Sequence, residues 1–111
     1  MKVWSKEKSK RGKKRLYLSL IPTIRKVARK SGYAIGVHGS LTRDLDLIAV
    51  KWRNGAVKPD TLAFRIHEAT CKYSYTLKEI KTRRNKKPQG RISYDLILGH
   101  GGAYIDLAVI T

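Results

Sequence analysis

Apolar positions along this chain recur at two different periods. Between Ile21 and Lys30 they stand at Ile21, Ile24, Val27 and Ala28. That i, i+3, i+6, i+7 spacing puts them on one face of a helix. Pro22 fits the first turn, where its missing N–H is no loss. Ser31-Gly32 ends the helix, and Arg29 and Lys30 suit the negative end of its dipole. Upstream, Leu16, Leu18 and Leu20 alternate with Tyr17 and Ser19, which fits a strand or an earlier helical turn.

The remaining segments are short. Tyr33 to Val37 is an apolar run that leads into His38-Gly39-Ser40. Leu45, Leu47, Ile48, Ala49 and Val50 read as a buried strand with Asp44 and Asp46 at its mouth. Arg53-Asn54-Gly55 is a turn. From Asp60, an N-cap candidate, Leu62, Ala63, Ile66 and Thr70 predict a second helix to about Cys71. Arg91 to Leu98 reads as a strand, Gly99-His100-Gly101-Gly102 as a hairpin turn, and Tyr104 to Ile110 as the last strand. On that strand Ile105, Leu107 and Val109 share one face, and Tyr104, Asp106 and Ala108 share the other. The order predicts an α+β fold: a mixed or antiparallel sheet of four to five strands packed with two helices. No internal repeat is present.

Length fixes the number of domains. The chain has 111 residues, enough for one modest core, and 41% of them are apolar. We expect a single domain over 16–111 behind a flexible basic arm at 1–15. No apolar run approaches the roughly 20 residues of a membrane span, and no secretory signal is visible. The single cysteine, Cys71, excludes an internal disulfide and a cysteine-cluster zinc site. A reducing, cytoplasmic compartment is the expectation.

Charge narrows the choice of partner. Lys and Arg total 25 against 8 Asp and Glu, a net +17. Such an excess implies an anionic partner, and nucleic acid is the usual one. The cations are clustered. The stretch from Lys2 to Arg15 carries one acid, Glu7, and contains Lys10, Arg11, Lys13, Lys14 and Arg15. Its like charges repel, so it reads as the solvated arm. A second run, Lys78 to Arg91, carries Arg83, Arg84, Lys86 and Lys87 and reads as a loop because of Pro88-Gln89-Gly90. Both runs would grip phosphate without reading sequence.

Three of the eight acids fall inside the most apolar segments. Asp44 and Asp46 would share one face of a strand about 7 Å apart, and Asp106 interrupts another strand. Carboxylates this close repel unless a cation sits between them. Hard oxygen donors suit Mg²⁺, or Mn²⁺ in its place. Two such ions roughly 4 Å apart serve in-line phosphoryl or nucleotidyl transfer. Gly39-Ser40 follows a strand, where backbone N–H groups and a hydroxyl can approach a phosphate.

These residues together resemble the nucleotidyltransferase superfamily, the fold shared by polymerase beta and minimal nucleotidyltransferases. The resemblance is carried by Ile35-Gly36-Val37-His38-Gly39-Ser40, Arg43-Asp44-Leu45-Asp46-Leu47 and Tyr104-Ile105-Asp106-Leu107. It covers about Leu16 to the C-terminus. The stretches Gly36–Val50 and Gly99–Leu107 also resemble small proteins encoded by phages and prophages, which implies a bacterial host cell.

The resemblance implies that Asp44, Asp46 and Asp106 are catalytic and hold two Mg²⁺ ions. Asp106 would serve the ion that activates the attacking hydroxyl. Gly39 and Ser40 would hold the phosphates of a nucleoside triphosphate, and Arg43 would clamp a phosphate or pair with Asp46. Only Leu41, Thr42 and Arg43 separate Ser40 from Asp44, a shorter spacer than typical members have. No separate acceptor domain is expected within these 111 residues, so the basic runs or another subunit would grip the acceptor.

Some residues carry weaker signals. His38 and His100 lie beside glycine-rich turns and could orient a phosphate, and His67 is expected at the surface or edge of the second helix. Tyr73 and Tyr75 would stack on bases or pack on a strand. Trp4 lies in the basic arm, and Trp52 follows the strand that bears the aspartates. No Ser-His-Asp pattern points to a hydrolase.

The expected function is metal-dependent transfer of a nucleotidyl group from a nucleoside triphosphate to nucleic acid, RNA ahead of DNA, with no membrane partner. The alternative is a non-catalytic protein of the same fold that binds RNA, DNA or a nucleotide and acts on a host factor. A third reading is a nucleotidyltransferase that modifies a protein partner.

Overall fold

Helix α1 runs from Lys6 to Ser31, and its buried positions explain its length. Tyr17, Ile24, Ala28 and Ser31 are all shielded from solvent, a helical spacing of seven, four and three residues. Tyr17 therefore settles the Leu16–Leu20 stretch as helix, and Leu18 is left 52% exposed on the outer side. Pro22 lies about four turns inside the helix instead of in its first turn. The Leu18 carbonyl loses its usual donor, but Leu18 and Pro22 both face solvent, where water can replace that bond.

This computed structural model describes residues 6–71, 73–99 and 101–110. The helix begins at Lys6, inside the stretch expected to be a flexible arm. Lys and Arg are good helix formers, and the packed turns after Tyr17 remove the cost of nucleation.

Gly32 ends α1 with φ +94°. A Cβ there would lie 2.6 Å from the Ala56 Cβ, so only glycine lets the chain leave the helix at this point. Strand β1 (Tyr33–His38) follows, then β2 (Leu45–Lys51) and α2 (Pro59–Thr70). Lys58, with no side-chain cap, precedes α2. Asp60 sits in the first turn instead of at the N-cap, because Pro59 takes the first helical position. Helix α3 (Leu77–Thr82) and strand β3 (Arg84–Lys86) occupy the basic run expected to be a loop. A capping box fixes α3: Thr76 accepts from the Glu79 N–H, and the Glu79 carboxylate accepts from the Thr76 N–H. A 3₁₀ turn (Pro88–Gly90), β4 (Arg91–Ile97) and β5 (Tyr104–Ile110) complete the chain.

The fold is α+β with a five-stranded mixed sheet in the order β1-β2-β5-β4-β3. β2 and β5 are parallel, and the other neighbouring pairs are antiparallel. Alternation divides the sheet into two faces. Leu45, Leu47, Ala49, Ile105, Leu107 and Val109 are fully buried, on the face that packs against Ile24 and Ala28 of α1 and Leu62, Ala63 and Ile66 of α2. Their neighbours along the strands are half-exposed or exposed, and no described helix covers them. No helix among the described residues is long and apolar enough to cross a membrane.

Candidate metal centre

The uncovered face carries the acidic residues, and strand register aligns them. His38 pairs with Asp46 across β1 and β2, Asp46 with Asp106 across β2 and β5, and Asp106 with Asp95 across β5 and β4. Neighbouring strands lie about 4.8 Å apart, so these four residues form one row across the sheet. Asp44 enters the row from the residue just before β2.

Carboxylate oxygens of Asp44, Asp46 and Asp106 all lie within 4.8 Å of one another, and all three residues are half-buried. The sequence-predicted triad therefore converges, as the parallel pairing of β2 with β5 requires. Its donors are hard oxygens at an accessible surface, and such a set could bind a metal ion.

The electrostatics fit the same use. Asp46 is pushed up to about 6, first by partial burial and then by Asp44 and Asp106, with His38 opposing. Asp106 is also raised, first by burial and then by Asp95 and Asp44, with His38 and Lys87 opposing. Three anions held together this way are relieved by a cation or by a proton.

The loop from Gly39 to Arg43 is built around Asp46. Gly39 has φ +80°, and a Cβ on it would stand 2.6 Å from the Asp46 Oδ2. The missing side chain is thus the space the carboxylate occupies. Leu41, with φ 62°, turns its side chain into the core at 8% exposure. That inward anchor lets three residues bridge Ser40 to Asp44. The Ser40 and Thr42 hydroxyls are 2.7 Å apart and exposed.

Arg43 makes no ion pair with Asp46. The ion pair seen among the described residues joins Arg84 to Asp60. The Arg43 carbonyl instead accepts a 2.7 Å hydrogen bond from the Tyr17 hydroxyl, which itself accepts from the Tyr104 N–H at 3.3 Å. Tyr17 thus ties α1, the Asp44 loop and the start of β5 together.

The basic runs contribute unequally. Lys13 Nζ stands 3.9 Å from where a Gly102 Cβ would be, beside the β4–β5 turn at the carboxylate end of the sheet. Arg11, Lys14, Arg15, Arg83, Lys86 and Lys87 are exposed. Arg84 is engaged at 2.9 Å by Asp60, which also accepts from the buried Tyr94 hydroxyl. The Lys10 side chain lies outside the described residues, as do Lys2, Trp4, Lys72 and His100.

His67 is buried instead of lying at a surface, because α2 turns it onto β4. There it contacts the Ile97 carbonyl through Nε2 and packs against Tyr75, the ring centres 4.6 Å apart and the planes tilted by 47°. Burial holds its pKa below the usual value. Tyr73 and Tyr75 stand in the segment between α2 and α3, not on a strand.

Two contributors were missed at the sequence level. Asp95 had a visible signal, because Ser93, Asp95 and Ile97 alternate with the apolar Tyr94 and Leu96. Tyr17 had one too, at helical spacing from Ile24 and Ala28. Compared with protein-family models, curated proteins and solved structures, the chain matches none of them.

Proposed function

We propose that the protein is a Mg²⁺-dependent nucleotidyltransferase that uses a nucleoside triphosphate and a nucleic-acid acceptor, RNA ahead of DNA. The observation that carries this reading is the convergence of Asp44, Asp46 and Asp106. When bound, divalent cations neutralise charge on the transferring phosphoryl group and orient both oxygens of an in-line displacement.

The chain's own residues do the rest. Asp44, just before β2, and Asp46 on β2 would hold the ions, and Asp106 on β5 would hold one of them. Gly39 and Ser40 offer backbone N–H groups and a hydroxyl to the phosphates. Lys13 brings positive charge to the same end of the sheet and Lys87 acts electrostatically on Asp106, which favours the departing pyrophosphate. The acceptor hydroxyl oxygen bonds to the α-phosphorus, the bond to the β-phosphate bridge breaks, and pyrophosphate leaves. The hydroxyl proton passes to solvent across the half-exposed face.

The test is Mg²⁺-dependent transfer from labelled ATP, CTP, GTP and UTP into bacterial RNA and protein. The wild type should label one fraction, and Asp44→Ala/Asp46→Ala should abolish that label. One observation favours a second reading. The tight Leu41-anchored loop leaves little chain to wrap a triphosphate, which suits a binding protein without catalysis. No label from either form, with nucleic-acid retention unchanged by the double substitution, would establish that reading instead.

A further inference from the structure

At the far end of β2 from the carboxylates, Trp52 is 55% exposed, and its neighbours Val50 and Ile110 are exposed beside it. The indole stands between two hollows. One, of about 510 Å³, is lined by Arg25 and Arg29 of α1 and the edge strand β1. The other, of about 570 Å³, is lined by Lys51, Arg53, Val50 and Ile110. Four cations therefore surround one exposed aromatic ring, and no carboxylate lines either hollow.

The main chain at this residue is tied to the end of α1: the Trp52 backbone N–H donates to the Gly32 carbonyl at 3.1 Å. The Arg53 guanidinium lies 5.7 Å from the indole ring centre and donates to the Lys30 carbonyl at 2.8 Å, at the end of α1. A flat apolar face fixed among cations fits a base that stacks while its flanking phosphates meet Arg and Lys.

We propose that Trp52, with Arg25, Arg29, Lys51 and Arg53, is a stacking anchor for a single-stranded polynucleotide. Duplex is excluded because its bases are already stacked on each other. The anchor stands without the metal centre. Its use in presenting an acceptor rests on the reading above. Trp52 lies six residue steps beyond Asp46, about 20 Å along the uncovered face. A strand held at Trp52 would thus run over Val50 and Ile48 to reach the carboxylates.

The experiment uses the full chain with Trp4→Phe, so that Trp52 is the remaining indole. Short unstructured RNA and DNA oligonucleotides, a duplex and polyglutamate are titrated without nucleotide or metal. Indole emission and the anisotropy of labelled oligonucleotide are read. Single strands should quench Trp52 saturably. Trp52→Ala should weaken single-strand binding about tenfold and Trp52→Phe no more than about threefold, since base–aromatic stacking carries the difference. RNA and DNA arms show which strand is preferred.

Unchanged emission with equal affinity for Trp52→Ala would overturn the anchor. So would duplex binding as tight as single strand, or quenching by polyglutamate alone, which would mark an acidic-protein surface. On Asp44→Ala/Asp46→Ala the quenching of Trp52 should persist and the affinity should not fall, so loss of catalysis and loss of the anchor are separately visible.

Discussion

Gly39 and Asp46 act as one unit. Alanine at position 39 would meet the Asp46 Oδ2 at 2.6 Å in a backbone conformation that L residues resist. Gly39→Ala should therefore weaken Mn²⁺ binding at least about tenfold, a displacement of one donor worth roughly 1.4 kcal/mol, while the far-UV circular dichroism stays native. Titration of Mn²⁺ by electron paramagnetic resonance checks it. Asp46 also sets a pH signature. Its pKa is raised in the fold to about 6. Its contribution is complete below the unfolded carboxylate range, about 4, and is lost as pH rises through about 6. Asp46→Asn should remove that decline in metal-free protein. Solvent screening at this half-exposed site limits the gain at pH 7 to about 1 kcal/mol. Urea denaturation of the two forms at pH 4 and pH 7 measures the difference, and the opposing effect of His67 cancels between them. An identical pH slope in both forms would count against the clustered carboxylates.

Tyr17 and Gly32 decide how α1 meets the sheet. Tyr17→Phe keeps the buried ring and removes only the hydroxyl shared by the Arg43 carbonyl and the Tyr104 N–H. It should cost about 1–2 kcal/mol, and the Asp44 loop should exchange its amide protons faster than α2 does. Gly32→Ala forces both a strained φ and a clash with Ala56, and should cost at least about 2 kcal/mol by chemical denaturation. The elements with strong periodicity were legible: the second half of α1, β1, β2, α2, β4 and β5. The first half of α1 was not, because among its described residues only Tyr17 is fully buried, with Leu16 partly packed beside it, while Leu18 points outward. Helix α3 and β3 were hidden by lysine and arginine. A six-residue helix is specified by its capping box, and β3 by its pairing with β4.

Across the whole molecule, charge is segregated. Four of the eight acids, Asp44, Asp46, Asp95 and Asp106, lie at one end of the uncovered sheet face, within a chain of net charge +17. A polyanion is drawn to the rest of the surface and repelled locally unless cations occupy the acidic end. Single-strand binding should fall steeply with salt. Lys13→Ala/Lys14→Ala/Arg15→Ala should reduce the slope of log K against log salt by roughly 2 if all three touch phosphate. Filter retention over a range of salt concentrations gives that slope. No change would place the arm of α1 away from the nucleic acid.

The sequence by itself determined the α+β class, the positions of the main strands and the identity of the three aspartates, since alternation and residue chemistry are local properties. It also determined the net charge of +17, on which the proposed polyanion partner rests, since net charge needs no coordinates. Only the tertiary structure decided that β2 and β5 run parallel side by side, which is what brings Asp46 opposite Asp106. It alone showed that Asp95 joins their row, that Asp60 takes Arg84 out of the free basic surface, and that Trp52 is exposed among arginines from α1. These are pairings between residues far apart in the chain. No local pattern encodes them, because register and helix placement are fixed by the shared burial of one sheet face.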